Sequence, residues 1–423
     1  MEAFMLFFLL MVFIFIGVPI GIAIGVATLA ALVLYTDIPL VLITQNCFAG
    51  VDSFPLMAVP FFILAGNLMS TGGVAKRIMD FATVCVGAVT GGLAMVTTVA
   101  CMFFAAISGS AVATTSAIGA FMIPEMERKN YDRGFSAALA AAGGCIGIII
   151  PPSIPLVIYG VVAQESIGDL FIAGIVPGIL FGIALMVASY IMSKKHGYTG
   201  TGEFPKVKDV FVSFKNSFWA ILAPVIVLGG IYSGIFTPTE SAVIAVVYSL
   251  LVGAFIYKEF TWNGIYRALY DTMVINGACM FMIGLSMAFA NYLSLQQVPA
   301  SIASALLSIS DNPIILMLLI NVFLLLVGCL VDIIPAVIIL TPVILPVAKT
   351  LGMDPITFGV MLVANLAIGF VTPPYGPNLF VAAAVANIKM EPMIKYAKWF
   401  ILAMFAVLLM VAYIPDLTMV FLK

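Results

Sequence analysis

Histidine occurs once in this chain, as His196 in the polar stretch Lys194-Lys195-His196. A single histidine rules out a histidine-based metal centre and argues against a serine–histidine mechanism. Six cysteines are scattered singly through apolar runs, at 47, 85, 101, 145, 279 and 329. None forms a CxxC or other metal spacing, so they read as packing residues. Charge is also scarce for a chain of this length. Only 9% of the 423 residues are charged, against about 25% in a soluble domain. The N-terminus, Met-Glu-Ala-Phe, has no basic region before its apolar run and reads as a span, not a cleaved signal. Nothing in the charge pattern points to nucleic acid.

What the chain has is hydrophobicity, at 64% of residues. Many apolar runs reach the ~20 residues that span a bilayer, so the fold class is an all-α polytopic membrane protein. Two stretches inside those runs break the helical rule. One is Gly147-Ile-Ile-Ile-Pro151-Pro152-Ser153-Ile-Pro155, and the other is Gly369-Phe-Val-Thr-Pro373-Pro374-Tyr375-Gly376-Pro377. A Pro-Pro pair removes two N–H donors and stops a helix. In lipid the freed carbonyls are costly unless protein or a bound ion satisfies them. The stretches lie 222 positions apart, and the same offset gives 8 identities over the 32 positions from Pro124 to Pro155. Four matched prolines and a matched Asp (Asp132 with Asp354) mark an internal duplication.

Along the chain, residues 4–35 form the first apolar run, interrupted by Gly17 and Pro19, and residues 46–71 form the second. The only long polar segment runs from Lys194 to Ser217 and joins the halves. We divide the chain into a first repeat over 1–200, an amphipathic linker helix on the membrane surface over 201–217, and a second repeat over 218–423. Val207, Val210, Phe211, Phe214 and Phe218 form the linker's apolar face. A second short amphipathic helix is expected after Thr261, ahead of a span at 273–292. With the loop 125–133 placed in the cytoplasm, 15 of the 17 basic residues fall inside, and Trp219, Trp262 and Trp399 fall at the same interface. The matching loop 347–354 then falls outside, which makes the repeat inverted, a transporter signature.

Residues 91–124 and 313–346 are each longer than one span needs and carry a break near the middle. They read as re-entrant hairpins, tolerated only where they are buried in protein or line a cavity. The broken helices are placed at 135–163 and 356–386. The first hairpin tip is Ser108-Gly109-Ser110. The N–H groups opening the next half-helix, near Ala111, suit an anionic group. By the 222 offset Ser110 maps onto Asp332, a carboxylate deep in an apolar segment and so a functional candidate. Its plainer reading is a solvated cap at a tip near the outer surface. Freed carbonyls are expected from Gly147 and Ile150 and from Gly369 and Thr372, with Ser153 and Tyr375 beside them. Such hard oxygens favour Na+ over H+ as the coupling ion; the plainer alternative is that the prolines are packing kinks.

These hairpins, the Ser108-Gly109-Ser110 tip with its Thr/Ser run and the paired Pro-Pro breaks resemble the large membrane (M, DctM-like) subunit of a tripartite ATP-independent periplasmic (TRAP) transporter, with the whole sequence similar to the sialic-acid type. The resemblance covers the whole chain. It implies an elevator-type transporter of the ion transporter superfamily in the bacterial inner membrane. It implies two or more Na+ ions held at Ser108, Ser110, Gly147, Ile150, Ser153, Gly328, Asp332, Gly369, Thr372 and Tyr375, and an organic acid such as sialic acid near Ser108, Gly109, Ser110, Ala111, Pro152 and Pro374. It implies two partners: a small four-helix membrane subunit, expected as a separate chain, and a periplasmic substrate-binding protein. The related divalent-anion symporters carry Ser-Asn-Thr at both tips, which this chain lacks. A self-sufficient or proton-coupled anion symporter remains the main rival. A channel or assembly scaffold is a weaker one, and an intramembrane aspartyl enzyme lacks a second deep Asp.

Overall fold

Inside a bilayer a backbone must satisfy its own polar groups, and a chain this apolar does so by forming helices. The computed structural model describes all residues except 1, 37, 201–205, 308, 309, 311, 375 and 423, and describes no side chains for 2–4, 14, 15, 303, 306 and 307. Among the described residues every regular element is helical. Seven helices there are long and apolar enough to cross a membrane.

The first run divides into α1 (Glu2–Phe15) and α2 (Ile20–Tyr35) at the interruption that Gly17 and Pro19 mark in the sequence. Gly17 takes φ +89°, and Pro19 cannot donate to a continuing helix. The second run divides likewise into α3 (Val41–Val51) and a 3-10 turn at Phe54–Met57 that leads into α4 (Ala58–Thr71). Next come α5 (Val74–Val86), α6 (Gly92–Ser108), α7 (Ala111–Arg128), α8 (Arg133–Cys145), α9 (Ile154–Ala163) and α10 (Ile167–His196). The second part holds α11 (Val207–Tyr232), α12 (Pro238–Leu251), α13 (Trp262–Leu295), α14 (Val298–Leu307), α15 (Pro313–Gly328), α16 (Ile333–Thr350), α17 (Pro355–Gly369), α18 (Pro377–Ala386), α19 (Glu391–Tyr413) and α20 (Asp416–Met419). The starts of α16 and α17 follow those of α7 and α8 by 222 residues (333 − 111 and 355 − 133).

Two expected boundaries do not occur. The amphipathic stretch from Val207 and the span after it form one helix, α11, because no Gly or Pro interrupts residues 207–223. The helix capped by Thr261 likewise runs on unbroken as α13, 34 residues long. The cap itself forms: the Thr261 hydroxyl accepts from the Gly264 N–H at 3.1 Å. Asp132 and Asp354 also cap, accepting from Phe135 N–H at 3.1 Å and Ile356 N–H at 2.8 Å.

The core is centred on the helices before the two breaks. In α8 every residue from Gly134 to Cys145 is buried, and in α17 every residue from Ile356 to Gly369. A helix apolar on all sides belongs in the interior. The Ala- and Gly-rich sequence of α8 lets neighbours approach closely, as small residues do between membrane helices. Gly143 lies against Cys101 of α6, and Gly144 against Thr115 of α7.

α10 orients the two matched loops. At its N-terminal end, Glu165 pairs with Lys349 at 3.7 Å, just before the α16–α17 loop. At its C-terminal end, the Tyr198 ring stacks 4.3 Å from Tyr131, and its hydroxyl accepts from the Asp132 N–H in the α7–α8 loop. Burial pushes the Tyr131 phenol up to about 12, so it stays neutral. Thirty helical residues span about 45 Å, so the two matched loops lie at opposite ends of the molecule.

Candidate functional site

Each hairpin tip is a helix start aimed inward. α6 ends at Ser108, Gly109 turns the chain at φ +60°, and Ser110 caps α7 by accepting from the Ala113 N–H at 3.4 Å. No hydrogen bond among the described residues occupies the Ala111 or Val112 N–H. In the second tip Asp332 takes the position of Ser110 and caps α16, accepting from the Ile334 N–H at 3.2 Å. Both tips line one cavity of about 610 Å³. Its far wall comes from α4 and α13 and presents Asn67, Tyr270 and Asp271. Asn67 Nδ2 donates to Thr272 Oγ1 at 3.0 Å and ties those two helices together.

Each tip rests on the Pro-Pro break of its own half. Gly109 O accepts from the Ile154 N–H at 3.3 Å, and Gly109 lies against the Pro152 carbonyl. In the second half Gly369 packs directly on the backbone of Gly328. Both Pro-Pro bonds are cis.

At the first tip three oxygens converge. Thr114 Oγ1 donates to Ser110 O at 2.8 Å and lies 2.9 Å from Ser108 Oγ. Gly147 backs this cluster; a side chain there would meet Thr114 Oγ1 and Ser110 O. Hydroxyl and carbonyl oxygens of this kind suit a small hard cation. Ser153 is buried, and its hydroxyl donates to Ile148 O at 2.6 Å, which satisfies a carbonyl that the break leaves free. Ile150 packs against Gly178 of α10. At the second tip Cys329 contacts Thr372, whose hydroxyl donates to Ile368 O at 2.7 Å.

The cavity thus gathers Ser108, Gly109, Ser110, Ala111 and Asp332. Gly147, Gly328, Gly369 and Thr372 stand behind the tips. Pro152 is buried under the first tip, and Pro374 is exposed; neither lines the cavity. Tyr375 lies outside the described residues.

A family model, described as the DctM component of the tripartite ATP-independent periplasmic transporter, matches residues 7–417. The chain belongs to this family. It is 45% identical over 395 residues to the isethionate TRAP transporter permease protein DctMQ of Oleidesulfovibrio alaskensis, covering 93% of this chain and 62% of that protein. It is 40% identical to the C4-dicarboxylate TRAP large permease DctM of Pseudomonas aeruginosa, covering 88% and 87%. It is also 40% identical to the sialic acid TRAP large permease SiaM of Vibrio cholerae, covering 92% and 91%. Among solved structures, the YdaH transporter of Alcanivorax borkumensis superposes with a TM-score of 0.62 at 13% identity, covering 87% of this chain and 86% of that one. MtrF of Neisseria gonorrhoeae superposes at 0.61, also at 13% identity, covering 88% and 84%. At that identity the likeness is one of fold alone, an all-α polytopic membrane fold. The family is one of transporter permeases, not of enzymes. The expected sialic-acid type is not singled out by these relatives, whose names cover three different anions.

Within this TRAP permease chain, sequence reasoning missed Thr114 and Asp271 as site residues. Thr114 reads as an ordinary helical side chain until the tip folds Ser108 against it. Asp271 was hidden by the false break placed inside α13; a carboxylate within one long membrane helix was the signal available.

Proposed function

We propose that this chain is the large membrane subunit of a Na+-coupled, binding-protein-dependent TRAP importer of organic anions. One observation carries the reading. The cavity is lined by two carboxylates, Asp271 and Asp332, and by no Lys, Arg or His among the described residues, yet it receives the N-terminal ends of two helices. Helix N-termini favour an anion, but the carboxylates repel it unless cations enter with it. The Ser108, Ser110 and Thr114 oxygens offer one cation a site, and Asp332 offers a charge for another. The rival, proton coupling, would use Asp332 alone and leave that oxygen cluster without a purpose.

The placement of the matched loops at opposite ends of α10 supports an inverted repeat. The cavity lies between the two tips and the α4–α13 wall, which supports an elevator movement of hairpins and broken helices past that wall. The relatives' named substrates (isethionate, C4-dicarboxylates and sialic acid) are all organic anions, and the proposal for this chain stops at that class. Its partners are a small membrane subunit and a periplasmic binding protein, and its place is the bacterial inner membrane.

The test is reconstitution of the chain with and without both partners. Uptake of labelled isethionate, succinate and sialic acid is then measured under imposed Na+ or H+ gradients. We expect uptake of at least one only with Na+ and the binding protein present. Uptake that needs neither overturns the proposal, and uptake driven by H+ alone transfers it to the rival.

A further inference from the structure

α10 and α19 leave a groove of about 830 Å³ between them, on the outer face of the buried α8–α17 core. Its walls are apolar, with Ile183 and Val187 on α10 and Ala406 and Met410 on α19. From Lys195 down to Leu180 it runs about 22 Å, longer than the ~15 Å hydrocarbon depth of one leaflet. One end differs from the rest. There Lys195, His196, Lys395 and Lys398 converge beside Trp399, whose indole is half exposed.

These cations are only partly neutralised. Asp132 sits 3.6 Å from Lys395, which also lies over the Tyr396 ring. Lys195 and Lys398 form no ion pair among the described residues. A long apolar channel closed at one end by unpaired lysines and an interfacial indole matches a ligand with hydrocarbon chains and an anionic head. A soluble anion has no use for the channel, and a zwitterionic lipid gains little from the lysines.

We propose that this groove binds an anionic phospholipid, with its phosphate head among Lys195, Lys395 and Lys398 and its acyl chain along α10 and α19. Basic clusters where membrane helices meet the headgroup region recognise such heads, each lysine contributing through the phosphate charge. Trp399 fixes the depth, because indoles settle at the headgroup level.

Trp399 also reports on the site. Of the three tryptophans, Trp219 and Trp262 can be replaced by phenylalanine. The full chain is reconstituted in phosphatidylcholine with a minor fraction of brominated lipid, either phosphatidylglycerol or phosphatidylcholine. We expect brominated phosphatidylglycerol to quench Trp399 far more than the same fraction of brominated phosphatidylcholine. Lys195→Gln and Lys398→Gln should each weaken the preference roughly fivefold, and together bring it to the phosphatidylcholine level. Ala406→Phe, which narrows the groove and leaves its charge, should lower it too. Equal quenching by the two lipids, or a preference that survives both lysine changes, overturns the proposal. So does a Trp399 shielded from both lipids, which would mean that a protein chain covers the groove.

Discussion

Gly369 packs its backbone directly on that of Gly328, so the second Pro-Pro break and the second hairpin tip meet with no side chain between them. A methyl group on Gly369 would collide with the Gly328 backbone, which cannot swing aside as a flexible side chain would. We expect Gly369→Ala to cost about 1–3 kcal/mol, as overpacked sites do, and to cut Na+-driven uptake. Gly229→Ala on α11 faces open space and serves as the control. Thermal unfolding of the purified variants and uptake in proteoliposomes read the two effects. A Gly369→Ala protein as stable and active as the control would mean that the contact is not held during transport.

Asp332 both caps α16 and lines the cavity, and two substitutions separate these roles. Asparagine caps a helix as well as aspartate does, so Asp332→Asn should fold normally while losing the charge. Asp332→Ala loses the cap as well, for a further destabilisation of about 1 kcal/mol. We expect both to abolish Na+-driven uptake, with only the alanine variant unfolding at a lower temperature. Wild-type uptake by Asp332→Asn would reduce the residue to a cap.

Asp271 tests the electrostatic argument from the opposite wall. With Asp271→Asn the anion meets one repelling charge fewer, so uptake at low Na+ should rise relative to uptake at saturating Na+. A carboxylate open to water interacts by about 1 kcal/mol at contact distance, so the gain should not exceed roughly fivefold. A steeper Na+ dependence would show that Asp271 attracts the cation instead.

Local rules explain what the sequence revealed. The equivalence of Ser110 and Asp332 was legible because both are helix caps at one offset, and capping is set within four residues. The burial of α8 and α17 was not read from the sequence, although neither helix has a polar face to hold it at the surface. Thr114 was not, because its partners Ser108 and Ser110 reach it only when the tip closes. Asp271 was not, because the polar pair Asp271-Thr272 imitates a helix end, while Thr272 is in fact held by Asn67 of α4. Gly17 and Pro19 were legible as the interruption of the first run, and the chain divides there into α1 and α2.

Thr114 contributes one of the three oxygens at the first tip, and valine has its shape without its hydroxyl. Losing one oxygen ligand to a cation should cost about as much as losing a hydrogen bond to a charged group, about 1.5–3 kcal/mol, so the Na+ concentration for half-maximal uptake should rise at least tenfold in Thr114→Val. Thr115→Val is the control, since among the described residues that hydroxyl bonds only Ala140 O, at 3.5 Å. Equal Na+ dependence in the two variants would remove Thr114 from the cation site.

The two ends of α10 allow the inverted arrangement to be tested without any transport assay. Lys349 and Glu165 form a pair at one end, and Lys395 and Asp132 form a pair at the other. If the matched loops face opposite sides, single cysteines at these positions must label oppositely. In a cysteine-free background of intact cells, we expect Lys349→Cys and Glu165→Cys to react with a membrane-impermeant maleimide. Lys395→Cys and Asp132→Cys should react only after the membrane is opened. The reverse pattern would still support an inverted repeat, but with the basic loops outside, against the positive-inside bias. Labelling of all four from one side would contradict the inversion, because a helix of about 45 Å separates the pairs and cannot place both on one face of a bilayer it crosses.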